Sequence, residues 1–524
     1  MAAQDLIQDP LGEALAADAQ GAKISTGQWM ALAAALLGWM FDGAEMGVFS
    51  MVGRSALQDL LPDSSEAQVQ LWFGIVTAGF LVGAATGGVL FGWLGDRIGR
   101  VRAMTLSVLV YALFTGFCGM ATTGWQLGVL RFIAALGMGG EWSLGVALVM
   151  EVWPNRSRAF MAGLIGAAAN VGYLLVGAVG LGLATILVDL TELLNTLGVP
   201  PAWNEWLMHN HGWRIMMVFG TTPALLTFLI RLFVPESEKW QHEQATGATS
   251  NWVSRDLLGV LVGACGPGLM IYLWAFEHST AVRLLGSLFG LLLATAGYTY
   301  PVLRYLQRNV ADGRADARDW KPTFRRMFLA AGLSGVALLA TWGSAQWAPT
   351  WADKLTASNP ELGAKYYTQM VTAFGAIIGT IVAAMMGDWF GRRMTYTLLC
   401  LVALGSLLLF YQGNTQYGPF FLFSALLAGG CTASFYGWLP LYLPELFHTN
   451  VRATGQGFGF NFGRILAAVG ALQTGNLFAK EVHIGSWTLE GGYPFACSAM
   501  SLIYLVGVVL IWFAPETRGQ PLPD

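Results

Sequence analysis

Asp42 and Glu45 stand three residues apart inside an apolar stretch, 28–52, that is long enough to cross a lipid bilayer. That spacing puts both carboxylates on one face of a helix. An ionisable side chain at membrane depth costs several kcal/mol, so its default reading is functional. Plainer readings are a carboxylate at the outer water interface or one locked in a permanent salt bridge. Depth adds two cations. At about 1.5 Å rise per residue, Arg131 lies roughly 9 Å below the outer end of its span and Asp42 roughly 12–15 Å below the outer end of its own. By the same rise, Arg464 lies about 18 Å from the opposite end of a later span, near mid-membrane. Glu141 follows Arg131 by about two and a half turns. An acid and an arginine at one depth can form a pair that a proton breaks, because a carboxylate loses its charge on protonation. An arginine at mid-membrane suits the carboxylate of an organic anion, since its rigid fork binds such a group bidentately. A structural pair with another acid or a helix end is the plainer role for Arg464. Asn170, Gln346 and Trp438 complete the candidate pocket.

The chain that must position these residues has 524 residues, 55% hydrophobic and only 11% charged, with mean hydropathy +0.54. Soluble proteins carry roughly 25% charged residues, so the composition is that of an all-α polytopic membrane protein. The five cysteines lie in apolar runs, against a disulfide framework. The six histidines fall in loops or at their edges, against an intramembrane haem or metal site. No nucleophile–base cluster marks an enzyme, and nothing points to nucleic acid. The acidic start, with Asp5, Asp9, Glu13 and Asp18, is the reverse of a secretory n-region, so no cleavable signal is expected.

Apolar windows predict fourteen spans. Six lie near 28–52, 69–93, 103–121, 125–150, 159–187 and 212–234; an extra pair lies near 256–276 and 282–303. Six more run near 327–349, 367–387, 394–412, 419–443, 454–478 and 493–514. Twenty of the 28 basic residues then fall on one side and six on the other, which places both termini in the cytoplasm. On this reading 1–27 is a cytoplasmic tail, 28–234 a six-helix bundle, and 235–326 a linker carrying the extra pair. The second six-helix bundle is 327–514, 515–524 is a cytoplasmic tail, 188–211 is an outer loop, and Arg231 sits at the cytoplasmic side.

The two sixes repeat each other. Gly95-Asp96-Arg97-Ile98-Gly99-Arg100 recurs 292 residues later as Gly387-Asp388-Trp389-Phe390-Gly391-Arg392. Glu151 through Arg158 recurs as Glu445 through Arg452, and Pro235-Glu236-Ser237 recurs as Pro515-Glu516-Thr517. At the offset of 294, the counterpart of Arg464 is Asn170. Parallel repeats related by an axis along the membrane normal are the architecture of rocking secondary transporters. Asp96, Arg97, Arg100, Glu151, Arg158, Glu236, Asp388, Arg392, Glu445 and Arg452 are the gating candidates. An acid there can cap a facing helix, and the arginines can pair with Glu151, Glu236 or Glu445 across the two halves.

These motifs carry a resemblance. Gly92-x-x-Gly95-Asp96-Arg97-x-Gly99-Arg100 and Arg131 through Glu141 resemble signatures of the major facilitator superfamily, and the Pro-Glu pairs resemble sugar-porter ends. Asp42-Gly43, Gly137-Met-Gly-Gly-Glu141, Glu151-x-Trp-Pro154 and the extra pair look like the sialate:proton symporter group. The resemblance implies the major facilitator fold and a secondary transporter, a proton symporter that imports a small organic anion such as a sialic acid, sugar acid or monocarboxylate. It implies that Asp42, pairing with Arg131 when ionised, carries the proton, with Glu45 lining the entrance and Glu141 in the same coupling set. The proton gradient takes the place of a cofactor, the partners are protons, a small organic anion and the bilayer, and the cell membrane holds a monomer. Efflux by proton antiport, a sugar or metabolite facilitator and a nutrient sensor are the alternatives.

Overall fold

Serines start the first two long helices. Ser25 Oγ accepts from the Gln28 backbone N–H while the Gln28 side chain accepts from the Ser25 N–H, and Ser65 and Gln68 repeat the arrangement. Each capping box satisfies two orphan donors at a helix start. The computed structural model describes residues 25–523 except 154–156, 222–224, 226–230, 277, 314–319, 360–361, 469–481, 485–486 and 490–491. Its first helices are α1 (Thr26–Leu60), α2 (Glu66–Ile98), α3 (Arg100–Cys118), α4 (Gly124–Val152), α5 (Arg158–Thr196) and α6 (Pro201–Phe219). A short α7 (Glu238–Ala245) leads to the central pair, α8 (Leu257–Ala275) and α9 (Thr280–Ala311). Then come α10 (Trp320–Gly343), α11 (Ala348–Leu355), α12 (Ala364–Phe390), α13 (Arg392–Gly413), α14 (Pro419–Ala433) and α15 (Phe435–Tyr442). The chain closes with α16 (Arg452–Asn461), α17 (Tyr493–Ser501) and α18 (Ile503–Leu510). An antiparallel hairpin pairs β1 (Val482–Ile484) with β2 (Trp487–Leu489), the strands found among the described residues of a helical protein.

Twelve helices among the described residues are long and apolar enough to cross a membrane. Expected spans 212–234 and 454–478, like the tail 1–27, run into residues outside those described. Two expectations change. The segment 188–211, expected as an outer loop, is largely helical, because α5 continues to Thr196 and Pro201 opens α6 at a position where the missing N–H costs nothing. The span 327–349 is broken: α10 ends at Gly343, a 3-10 turn holds Ala345–Trp347, and α11 follows. The Tyr411 hydroxyl donates to Ser344 O at the break, at 2.7 Å. Irregular backbone at this depth is tolerated where it is buried or lines a cavity.

The central pair is docked. Tyr298 of α9 is buried, shares a 2.7 Å hydrogen bond with Thr86 Oγ1 of α2, and sets its ring edge-on to Phe462, just past α16. Trp252 stacks on Tyr305 at 4.1 Å, and Arg308 pairs with Asp256 at 2.7 Å. The opposite face of α9, with Leu285, Leu288, Phe289 and Leu292, is exposed at helical spacing, as a lipid-facing stripe should be.

The internal repeat holds at the level of single hydrogen bonds. Gly99 and Gly391 both take a positive φ, 109° and 83°, so the chain can turn sharply between consecutive helices. Arg100 Nη1 donates to Gly95 O and Asp96 Oδ1, both at 2.8 Å; Arg392 Nη1 donates to Gly387 O at 2.7 Å and Asp388 Oδ1 at 2.9 Å. Arg100 Nη2 reaches Glu151 at 3.1 Å, and Arg392 Nη2 reaches Glu445 at 2.7 Å. Glu236 accepts from the Arg100 N–H, and Glu516 from the Arg392 N–H, each at 2.9 Å. Burial raises the Glu236 carboxyl above its usual range, against the backbone N–H groups of Ser237, Val101 and Arg100. Burial also pushes Glu516 upward, but the N–H groups of Arg392, Arg393 and Arg518 together hold it below that range.

The copies differ in what crosses between bundles. Asp96 Oδ2 accepts from the Thr454 N–H at 2.8 Å and Oδ1 from the Ala453 N–H at 3.3 Å, so it caps α16 of the other bundle. Arg452 Nη1 pairs with Glu151 at 3.0 Å, and Arg100 Nη2 donates to Thr449 O at 2.8 Å. Asp388, by contrast, is 43% exposed and pairs with its own helix neighbour Arg392. The expected pairing across the halves is therefore made by Arg452 and Glu151. Arg392 binds Asp388 and Glu445 of its own bundle, Glu236 caps α3 rather than meeting an arginine side chain across the halves, and Arg97 lies over the Trp93 ring with Nη1 on Ser254 Oγ. Arg158 is buried at the start of α5.

This network closes one end of the molecule. Breaking a buried ion pair costs about 3–5 kcal/mol, so Glu151→Gln should open that end. Spin labels at exposed Arg102 and His448 should show a distance distribution shifted to longer values; an unchanged distribution would mean the network does not hold the bundles together.

Candidate functional site

Between the bundles lies a cavity of about 170 Å³, walled by α1, α5, α10, the 3-10 turn, α11 to α16 and the segment after α16. Aromatic side chains from both bundles face it, among them Trp39, Tyr173, Trp342, Phe410, Tyr436 and Phe460. Between them stand the amides of Asn170, Gln346 and Gln369 and the hydroxyls of Thr341, Thr372 and Thr432. Among the described residues that line it, the single charged side chain is Arg464.

Arg464 is buried, with Cζ 5.4 Å from the Phe460 ring centroid; that ring in turn stacks on Trp142 at 3.7 Å. Its Nε and Nη1 have no hydrogen-bond partner, and it makes no ion pair, among the described residues. Trp39 Nε1 also lacks a partner among the described residues, while other polar lining groups are bonded within the wall. Tyr436 donates to Thr341 Oγ1 at 2.9 Å, Asn170 Nδ2 to Gly166 O at 3.0 Å, and Gln346 Nε2 to Trp342 O at 2.7 Å. Gln369 Nε2 donates to Tyr173 O at 3.2 Å and so ties α12 to α5 across the cavity wall. A guanidinium with donors to spare, inside an aromatic cage, binds a carboxylate at one end and packs an apolar or planar body at the other.

Three of the four expected pocket residues, Arg464, Asn170 and Gln346, meet at this cavity. Trp438 does not. It is fully buried within the second bundle, 4.8 Å from the Tyr396 ring and 4.7 Å from that of Tyr442, because the helical face it occupies turns toward α13. Tyr436, two residues earlier, takes the place in the cavity. Trp39, Tyr173, Thr341 and Gln369 were not anticipated; of these, Trp39 stands one turn before Asp42 and was the nearest to being found.

The charges behind the cavity are paired differently from expectation. Arg131 does not bind Asp42; its Nη1 forms a close ion pair with Glu45, and its guanidinium lies 4.4 Å from the ring centroids of both Phe49 and Phe80. Glu45 is buried rather than at an entrance, with Thr115 Oγ1 also donating to it at 3.5 Å. Arg231 is not at the surface. It is buried and pairs with Glu141, with Nη1 to Oε2 at 2.9 Å. Asp42 is fully buried and neither of its carboxylate oxygens has a partner among the described residues.

Known proteins agree with this architecture. The family model for the Major Facilitator Superfamily matches residues 25–471. The cis,cis-muconate transport protein of Acinetobacter baylyi is 26% identical over 498 residues, 93% of this chain and 96% of that one. The sialic acid transporter NanX of Escherichia coli is 28% identical over 218 residues, 42% of this chain and 46% of that one. The solved proton:xylose symporter XylE of E. coli superposes with a TM-score of 0.63 at 17% identity, over 95% of this chain and 98% of that one, a likeness of fold. With its duplicated motifs, interbundle cavity and membrane-spanning helices, the chain belongs to the Major Facilitator Superfamily and is a membrane transporter.

Proposed function

We propose that this transporter imports a small organic carboxylate together with a proton by alternating access, in the inner or plasma membrane, with both termini cytoplasmic. The moving bodies are 28–234 and 327–514, joined by 235–326, and one copy of the chain suffices. The carrying observation is a pair of buried charges that lack partners among the described residues: Asp42 in the first bundle and Arg464 in the second. A proton neutralises the first and a substrate carboxylate neutralises the second. The loaded carrier then holds no unpaired buried charge, whereas a half-loaded carrier holds one, at a cost of several kcal/mol in such surroundings. That difference couples the two loads. Arg131 and Glu45 neutralise each other and hold α4 to α1 beside this site. The aromatic lining favours a planar, conjugated or ring-bearing acid over a polyhydroxylated one. The muconate and sialic acid named for two relatives are both carboxylates, which fits the same cation.

Purified protein in proteoliposomes should exchange at least one of cis,cis-muconate, gentisate, nicotinate, benzoate and N-acetylneuraminate, and should take up xylose poorly; a preference for xylose would sink the carboxylate reading. Asp42→Asn should keep counterflow within about threefold of wild type while losing accumulation driven by an imposed pH gradient at least tenfold. Accumulation at the wild-type level would remove Asp42 from coupling. Arg464→Lys keeps the charge but loses the fork, and one charge-assisted hydrogen bond is worth about 1.5 kcal/mol or more. Its apparent KM should rise roughly tenfold at similar maximal rate; an unaltered KM would place the anion elsewhere.

A further inference from the structure

The Glu141–Arg231 pair has no part in substrate binding, yet it is built against the face of α1 that carries Asp42. Ala34, Gly38 and Asp42 repeat every four residues and share that face. Arg231 Nη1 donates to Met104 O at 2.8 Å as well as to Glu141, and Nη2 both pairs with Glu141 Oε1 and approaches Ala34 O at 3.5 Å. A side-chain carbon at Gly38 would collide with Glu141 Oε1 and with Arg231 Nη2, so the pair is seated on bare backbone at that position. Helical side chains lean toward the N-terminus. The Asp42 carboxylate, one turn further along α1, therefore points down onto this pair. The remaining titratable or charged groups on the elements around it are Tyr111 of α3, Tyr173 of α5, the mutually paired Glu45 and Arg131, and Arg464 of the other bundle, whose positive charge also acts on Asp42.

Resting on the symport reading above, we infer that Arg231 is the exchange cation of proton release, leaving Glu141 for Asp42 as the proton passes from Asp42 to Glu141. The step balances. Protonated Asp42 beside the Glu141 carboxylate and Arg231 guanidinium becomes an Asp42 carboxylate on Arg231 beside protonated Glu141. One O–H bond breaks at Asp42 and one forms at Glu141, and the guanidinium changes partner. The three groups sum to zero charge before and after, so the transfer creates no new net charge in the protein interior, which is the expensive alternative. One helical turn, about 5.4 Å, separates the two levels on α1, within the swing of an arginine side chain. Arginine suits the task because it stays charged whichever acid holds the proton.

The exchange also has a direction. Gln28, at the start of α1, donates to Val152 O at the end of α4, at 2.7 Å, so the two helices run antiparallel with these ends together. The step from Asp42 to the level of Gly38 and Glu141 leads toward that end, the cytoplasmic one. Glu141 is thus the group that hands the proton on, and Arg231 positions it.

The test uses whichever carboxylate of the panel above gives the fastest counterflow. Arg231→Gln alone leaves Glu141 buried and unpaired, so the decisive variant is Glu141→Gln with Arg231→Gln, which removes both charges. The expected result is counterflow within threefold of wild type, accumulation under an inward proton gradient reduced at least tenfold, and counterflow that no longer varies with internal pH. Arg231→Lys should recover part of the accumulation. Accumulation by the double variant within twofold of wild type would make the pair structural and overturn the assignment, as would loss of counterflow and accumulation together. A wild type that exchanges substrate but accumulates none under a proton gradient would instead remove the symport reading, and this assignment with it.

Discussion

A charge held away from water must be neutralised locally, and the interior of this protein is organised by that requirement. Most of its buried ionised groups come in sets: Glu45 with Arg131, Glu141 with Arg231, Asp59 with Arg214, Asp256 with Arg308, and the two arginine–carboxylate clusters at the closed end. Such sets are weak evidence for stability, because desolvating both partners consumes most of what their attraction returns. Their stronger effect is positional, since removing one partner strands the other. Against that background an acid and a base of opposite sign, one in each bundle and neither paired among the described residues, stand out as places where something mobile completes the set.

The chemistry of the cavity follows from where the second of these lies. Arg464 faces a space lined by aromatic rings, amides and hydroxyls, with no acid among the described lining residues. An acid there would neutralise the guanidinium permanently and leave an anion nothing to bind. Phe460 under the guanidinium stabilises the cation through its ring face without consuming a hydrogen-bond donor. The break between α10 and α11 brings Gln346 and its irregular backbone to the same wall, and α12, through Gln369 and Tyr173, ties that wall to the opposite bundle. The site is therefore shared by both bundles, which lets a bound solute bias how they move against each other.

Much of this was legible in the amino-acid order, because apolar length, motif duplication and depth along a helix all depend on residue spacing alone. Arg464 and its counterpart Asn170 were placed by counting, and both line the cavity. Azimuth was harder. At 3.6 residues per turn, Asp42 and Glu45 differ by roughly 60° around the helix axis, so equal depth with Arg131 did not decide which carboxylate it would meet. Trp438 failed for the same reason, two residues from Tyr436 and on another face. Arg231 was misplaced because Pro235-Glu236 marks a helix end, and an arginine four residues before such an end reads as reaching water. In the folded chain Glu236 turns inward to cap α3, which keeps Arg231 among helices.

The duplicated motifs raise a question that their likeness cannot answer. Two copies of one loop, each with its glycine turn, its arginine on a carboxylate and its glutamate on a helix start, would hold both bundles in the same way and favour no state. The difference lies in what reaches across from the first copy: Asp96, Glu151 and Arg100. Asp96 reaches across to the first N–H groups of α16, where the helix dipole and the orphan donors favour an anion, while Asp388 remains half in solvent on its own helix. A cap of this kind forms only while α2 and α16 are together, so its energy belongs to the closed arrangement alone. The intrabundle bonds survive any rigid-body movement and contribute equally to every state. Likeness between the copies therefore keeps each bundle rigid, and the Asp96 cap between the bundles, with Glu151 on Arg452 and Arg100 on Thr449 O beside it, sets which end is shut.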